Sequence, residues 1–215
     1  MTSIRLEIIE SAYVHAPQEI DALNIKNLVP KMMTRRRLTR AAKIAIYLAN
    51  EVSFDKGRII YGSSFGELPA TANILNSITQ KESISPTHFQ NSVYNTAISY
   101  LSILKENEAE LLTVSSGDKT ALNVLKVGAV KALDEDILLL LVTETINIEG
   151  IENINSCGQY LECGVALKVK LSNEEPTLKY NNIEQNSTVP NAIKHMLSIA
   201  QKFELGKTNI IEVEL

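Results

Sequence analysis

The sequence of 215 residues contains two cysteines, three histidines and no tryptophan. Cys157 and Cys163 are too few for a disulfide scaffold. With three histidines in the whole chain, they do not complete a convincing four-ligand zinc site. We therefore predict no metal site and interpret both thiols as buried side chains.

The sequence also lacks an excess of positive charge and a long apolar run. Its formal charge of −4 and pI near 5.5 argue against binding to nucleic acid or an anionic membrane, except through a local basic patch. The longest apolar run, residues 137–142, is far shorter than the roughly 18 residues that a membrane span requires. Because residues 1–7 lack the layout of a signal peptide, we expect a cytoplasmic protein.

The remaining composition is that of a globular chain, with 45% hydrophobic and 21% charged residues. We predict one domain, residues 1–215, in which strands and helices alternate. Six strands are predicted, at residues 4–14, 58–61, 111–114, 137–142, 164–171 and 211–215. Five helices are predicted, one capped by Thr34 and running to residue 49, the others at 69–78, 86–104, 120–133 and 190–203. The polar stretch 172–188 is predicted to be a loop or an insertion. Because helices connect successive predicted strands, the sequence favours a mostly parallel sheet covered by helices on both faces.

The first motif is G-x-S-x-G at residues 62–66, between a predicted strand and a predicted helix. Such a turn can present Ser64 as a nucleophile. Asp136 and His195 follow in the chain order of a hydrolase triad. His195, however, falls inside an amphipathic helical run, so a glycine-rich packing turn remains the alternative.

The second feature is a basic cluster. On a helical wheel Arg36, Arg40 and Lys43 share one face, opposite a face of leucine and alanine. This pattern is typical of a solvated helix face, and it also suits docking of an acidic partner.

The third feature is the segment 85–95. Asn91 and Asn95 lie one turn apart in a predicted helix that is otherwise suited to burial, so we expect a buried hydrogen-bond network or an interface there. For His88 we predict a capping or surface role, since no second histidine or cysteine lies at ligand spacing.

Four segments in one order carry a resemblance to a known family. They are RRLTR before an alanine-rich helix, IIYGSSFGEL, SPTHFQNSVYNTAISYLSIL and residues 112–133. Over about residues 1–171 the chain resembles the N-terminal half of β-ketoacyl synthases. It looks most like half-length chain length factors of aryl polyene and flexirubin-type pigment clusters. Tyr94 stands where that family usually has histidine.

The resemblance implies an α/β protein with the N-terminal half only of a thiolase-like fold: a mixed, mostly parallel sheet with helices on both faces. An ungapped alignment through residues 134–138 brings Ser116 to the position of the nucleophilic cysteine. The two active-site histidines of such enzymes come from the second half. The resemblance therefore implies no catalytic residue for condensation and no cofactor, with phosphopantetheine arriving only on an acyl carrier protein.

The function implied by the resemblance is that of a non-catalytic subunit in polyene or fatty-acid-like biosynthesis. It would form a heterodimer with a full-length β-ketoacyl synthase and shape that enzyme's acyl tunnel. The acyl carrier protein would dock on the basic cluster. The expected tunnel and interface residues are Ile84, Phe89, Asn91, Tyr94, Asn95, Leu111 and Val114. Two alternatives stay open: a hydrolase or acyl-transfer enzyme that uses Ser64, and a pure scaffold subunit.

Overall fold

The structure, a computed structural model, describes residues 2–134, 136–148, 161–179 and 189–215. Its seven strands are β1 (Ser3–Ala16), β2 (Arg58–Gly62), β3 (Leu111–Val114), β4 (Leu138–Ile146), β5 (Leu161–Leu171), β6 (Leu178–Lys179) and β7 (Ile210–Glu214). Its eight α-helices are α1 (Ile25–Leu28), α2 (Met32–Arg35), α3 (Arg40–Glu51), α4 (Leu68–Gln80), α5 (Pro86–Asn91), α6 (Thr96–Lys105), α7 (Thr120–Lys131) and α8 (Asn191–Glu204). Within this described part, no helix is long and apolar enough to cross a membrane.

The strands form one sheet in the order β3-β2-β4-β5-β1-β7-β6. It is mixed, as predicted, but less parallel than expected. Strands β3, β2 and β4 run parallel, as do β6 and β7, whereas β5 pairs antiparallel with both β4 and β1, and β1 pairs antiparallel with β7. The long β1 and β5 pair in register over most of their length, which makes this half of the sheet antiparallel.

Helices cover both faces of the sheet. Because side chains alternate along a strand, Ile60 of β2 joins the core under α7 and α8, while Ile59 and Tyr61 join the core under α3 and α6. Strand β4 lies between the two layers, and all nine of its residues are buried. This explains why its sequence is a continuous apolar run rather than an alternating one.

Two predictions about helices are wrong. The cap of the alanine-rich helix is Thr39, whose hydroxyl accepts a hydrogen bond from the Ala42 N–H at 3.1 Å, and Thr34 lies instead in the separate short α2. The predicted helix 86–104 is two helices, because the backbone breaks between Asn91 and Thr96. Of the predicted loop 172–188, residues 180–188 lie outside the described residues.

Candidate functional site

The turn that follows β2 is held by a carboxylate from the neighbouring strand. Glu144 is fully buried in β4, and it accepts hydrogen bonds from the backbone N–H groups of Ser64 and Phe65 and from the Ser63 hydroxyl at 3.1 Å. The Ser63 oxygen in turn accepts from the Gly66 N–H at 2.9 Å. Since Gly62 pairs with Val142 in the parallel register, residue 144 falls just beyond the end of β2, where it can reach the turn.

The turn also requires close approach of its neighbours. A Cβ on Gly62 would lie 2.6 Å from a methyl group of Val124 in α7, so only glycine fits there. Gly66 has φ +61°, and a Cβ there would lie 3.2 Å from the ring of Tyr94. The Tyr94 hydroxyl donates to the Ser64 carbonyl at 3.4 Å. The G-x-S-x-G pattern therefore serves packing, which is the alternative that the sequence left open.

The triad prediction is wrong. Ser64 follows the carboxyl end of β2, whereas Asp136 precedes β4 and lies 3.5 Å from Arg58, at the opposite end of these parallel strands. Six residues of extended chain separate the two ends by about 20 Å. His195 lies in α8, where burial lowers its pKa.

A second buried carboxyl lies at the same end of the sheet. Glu67 accepts a hydrogen bond from the hydroxyl of Thr39 at 2.7 Å. Burial raises the pKa of both Glu67 and Glu144 to about 7, although the donors around each carboxyl oppose the shift. Near neutral pH both groups therefore titrate, which is rare for glutamate.

Ser116 lies on the turn between β3 and α7. Its side chain is exposed, and its backbone N–H donates to the Thr120 hydroxyl at 3.1 Å, which itself donates to the Gly117 carbonyl. Among the residues that the structure describes, none accepts a hydrogen bond from the Ser116 hydroxyl. Because β3 and β2 are parallel neighbours, this turn and the Glu144-anchored turn lie at the same end of the sheet. A serine without a base is a poor nucleophile.

The predicted interface residues lie mainly at the surface. Phe89 is 71% exposed, and Ile84 and Tyr94 are also exposed. Leu111 and Val114 are partly buried in β3, which forms one edge of the sheet. The expected buried amide network is wrong: Asn95 is exposed, and Asn91 is half-buried and accepts one bond from the Tyr100 hydroxyl. The break between α5 and α6 turns these residues outward. His88 is half-buried in α5 and lines a cleft between α3, α4 and α5.

The basic cluster does not share one solvated face. Arg40 is 18% exposed and forms an ion pair with the fully buried Glu162, with its Nε donating at 2.7 Å, and a second ion pair with Glu19. Arg36 directly follows α2 and is exposed. Together with Lys43 these arginines line a cleft of about 500 Å³. The prediction is therefore wrong for Arg40, whose charge is neutralised inside the fold.

Sequence reasoning missed the three buried glutamates, Glu67, Glu144 and Glu162. Each is an acidic residue next to or within an apolar segment, and that position was the available signal. Their partners come from segments far away in the chain. Of the two cysteines, Cys163 is buried in β5, as predicted, and Cys157 lies outside the described residues.

Several solved protein structures have a fold similar to that of this chain. A chain in the solved structure of a ketosynthase in complex with its chain length factor from Xenorhabdus doucetiae has 21% sequence identity and a TM-score of 0.67, over 91% of this chain and 92% of that one. The ishigamide ketosynthase/chain length factor has 14% identity and a TM-score of 0.55, over 73% and 50%.

A third solved structure holds a type II PKS acyl-carrier protein in complex with its ketosynthase bound to the hexaketide. It has 12% identity and a TM-score of 0.56, over 78% of this chain and 64% of that one. The chain thus spans half to two thirds of the length of the second and third matches. No curated protein sequence matches it.

The likeness to these structures confirms the predicted thiolase-like fold. Residues 10–210 match the family model described as the beta-ketoacyl synthase, N-terminal domain. This match covers most of the sequence and includes the β2 turn, the Ser116 turn and the edge strand β3. The chain belongs to the beta-ketoacyl synthase N-terminal domain family.

Proposed function

We propose that the chain is a non-catalytic, chain-length-factor-like subunit that pairs with a full-length β-ketoacyl synthase and shapes its acyl tunnel. The observation that carries the proposal is Ser116. Where the family resemblance expects the nucleophilic cysteine, this chain presents an exposed serine whose hydroxyl meets no base among the described residues. Condensation needs a thiolate or an activated equivalent, so the chemistry falls to the partner.

The edge strand β3 supports pairing with another subunit. It has one strand neighbour, β2, in the described sheet, and its other edge carries unpaired backbone groups. Such an edge is a template for a strand from another chain. The structurally similar chain comes from a ketosynthase in complex with its chain length factor, which supports pairing with a ketosynthase.

Exposed apolar side chains support a second part of the interface. Ile84, Phe89, Val93 and Tyr94 lie within eleven residues around α5, and all four are exposed. Exposed apolar side chains concentrated in one short segment are typical of an interaction site. We assign Ile84 and Phe89 to the wall of the partner's tunnel, and Arg36 and Lys43 to docking of an acidic acyl carrier protein, which would supply phosphopantetheine from outside the chain.

Co-purification with a ketosynthase encoded in the same genome tests the pairing. Phe89→Asp should weaken the complex by about tenfold or more, because burying a phenylalanine contributes about 1.5–3 kcal/mol. Leu205→Asp is the matched control. Leu205 is 65% exposed, close to the value for Phe89. It follows the end of α8, where Glu204 accepts a hydrogen bond from Tyr13 of β1, four strands from β3 in the sheet order. No complex with any ketosynthase, or equal weakening by both variants, would contradict the proposal.

A further inference from the structure

A small cleft beside the Glu144-anchored turn shares Lys43 with the proposed carrier-docking surface and borders α5, but the proposed function gives it no small ligand. It has a volume of about 310 Å³ and lies between the start of α3, the start of α4, helix α5 and the end of β4. Its polar lining includes Lys43, Glu67, His88, Asn91, Thr145 and Asn147. At about 30 Å³ for each water-sized group, the cleft has room for a ligand of about ten non-hydrogen atoms.

Two polar atoms in the cleft wall lack hydrogen-bond partners. Thr145 is 1% exposed, and its hydroxyl has no partner among the described residues. The Asn147 side-chain oxygen is likewise buried and unpaired within the described part of the chain. Buried polar groups in folded proteins are nearly always satisfied, so two unpaired oxygens directly behind the wall of a cleft point to a missing ligand. Both oxygens are closed to solvent in the unliganded chain, so the ligand reaches them through side-chain shifts of the kind that are common when a partner binds. Asn147 Oδ1 requires a donor, and Thr145 Oγ1 can donate or accept.

The cleft also holds one cation without a counter-charge. Arg40, which lines it too, is neutralised by Glu162 and Glu19. Lys43, by contrast, makes no ion pair or hydrogen bond with any residue that the structure describes. Its ammonium group therefore favours an anionic oxygen as a ligand.

We infer that this cleft binds a small hydroxylated anion. Its carboxylate or phosphate oxygens contact Lys43, and its hydroxyl groups donate to the Asn147 oxygen and bond to the Thr145 hydroxyl. Glu67 lies in the same wall and already accepts a bond from Thr39. Because burial raises the pKa of Glu67 to about 7, its carboxyl is mainly protonated in mildly acidic buffer and does not repel an anion there.

The test titrates the isolated chain with two anions at about pH 6. The probes are glycerate, a hydroxylated carboxylate, and glycerol 3-phosphate, a hydroxylated phosphate ester. Calorimetry measures affinity, and amide chemical shifts locate the site. Glycerol, which has no charge, and propionate, which has no hydroxyl group, are the ligand controls. We expect saturable binding of at least one probe, with shifts confined to the cleft, and the probe that binds more tightly identifies the anionic group.

Variants test whether binding depends on this cleft or on positively charged side chains in general. Lys43→Met and Thr145→Val should each weaken binding by at least about tenfold, since each removes a charged or buried hydrogen-bond partner. Lys26→Met is the matched control, because Lys26 lines the neighbouring larger cleft and not this one. Thr145→Val deletes only an unpaired hydroxyl, and thermal unfolding checks that both variants fold.

Three results would overturn the inference. The first is no binding of either probe up to about 10 mM, tenfold above a Kd of about 1 mM. The second is equal binding of glycerol or propionate. The third is unchanged affinity in Lys43→Met and Thr145→Val. None of these outcomes involves a ketosynthase, so the test is independent of the proposed function.

Discussion

The substitution Glu67→Gln tests the electrostatics of the buried end of the sheet. Glu67 is 5% exposed, and its carboxyl accepts one hydrogen bond from Thr39. Burial raises its pKa from 4.5 to about 7. Glutamine has the same shape, keeps an oxygen that can accept the Thr39 bond and does not ionise, so the substitution removes the charge and little else.

The folded chain should lose stability as the pH rises through this window. Below about pH 4.5 Glu67 is protonated in both the folded and the unfolded state and has no effect. Above about pH 7 it is ionised in both states, and the folded state carries the desolvation penalty. A pKa rise from 4.5 to about 7 corresponds to about 3 kcal/mol. Glu67→Gln should therefore be more stable than the natural chain by up to about 3 kcal/mol near pH 8 and equal to it near pH 4.

Urea unfolding across this pH range measures the difference directly. Glu144 titrates in the same window but is present in both proteins, so its contribution cancels in the comparison. Glu82→Gln is the matched control, because Glu82 is exposed and should leave the pH dependence unchanged. If Glu67→Gln and the natural chain lose stability in parallel with rising pH, or if the variant is less stable near pH 8, the burial argument is refuted.

Three further predictions concern the assembled pair. Ser116→Ala should leave ketosynthase activity nearly unchanged, because no base lies beside the Ser116 hydroxyl among the described residues. A loss of activity of about a hundredfold, typical of a catalytic group, would contradict this prediction once unfolding measurements show that the variant folds. Replacing Arg36 and Lys43 with glutamate should slow association with an acidic carrier protein and weaken the salt dependence of the association rate, as measured by stopped-flow. An unchanged association rate at low salt would show that these cations contact only solvent. Ile84→Ala and Phe89→Ala should lengthen the products and Ile84→Phe should shorten them, since each methylene group changes the free energy of burial by about 0.8 kcal/mol. Identical product chromatograms from an intact complex would favour a pure scaffold.

Most strands could be predicted from the sequence because their signal is local. Buried runs such as residues 137–142 and alternating runs such as residues 4–14 identify strands without knowledge of their neighbours. The predicted helix 86–104 failed for the same reason. Its apolar periodicity continues through Val93 and Tyr94, but these side chains are exposed and the backbone breaks there. Periodicity alone does not distinguish a buried helix face from an exposed apolar surface.

The site was less predictable because its contacts join distant segments. A helical wheel places Arg40 beside Lys43 but carries no information about Glu162, which lies 122 residues away in β5. In the sequence, Glu144 is a single acidic residue at the end of an apolar strand, and nothing nearby indicates its partners. Its role follows only from the parallel register of β2 and β4. The prediction for Ser116 rests on a family alignment, which supplies the long-range comparison that local patterns lack.

Anchoring of the β2 turn gives this end of the sheet a defined surface. Glu144 binds three groups of the turn, and the turn receives the Tyr94 ring against Gly66. Tyr94 is thereby fixed between α5 and α6, next to the exposed Val93. A surface that is already ordered loses less side-chain and loop entropy when a partner binds. In the proposed complex the buried carboxylate would therefore contribute to binding through preorganisation, although it touches neither the free edge of β3 nor Phe89.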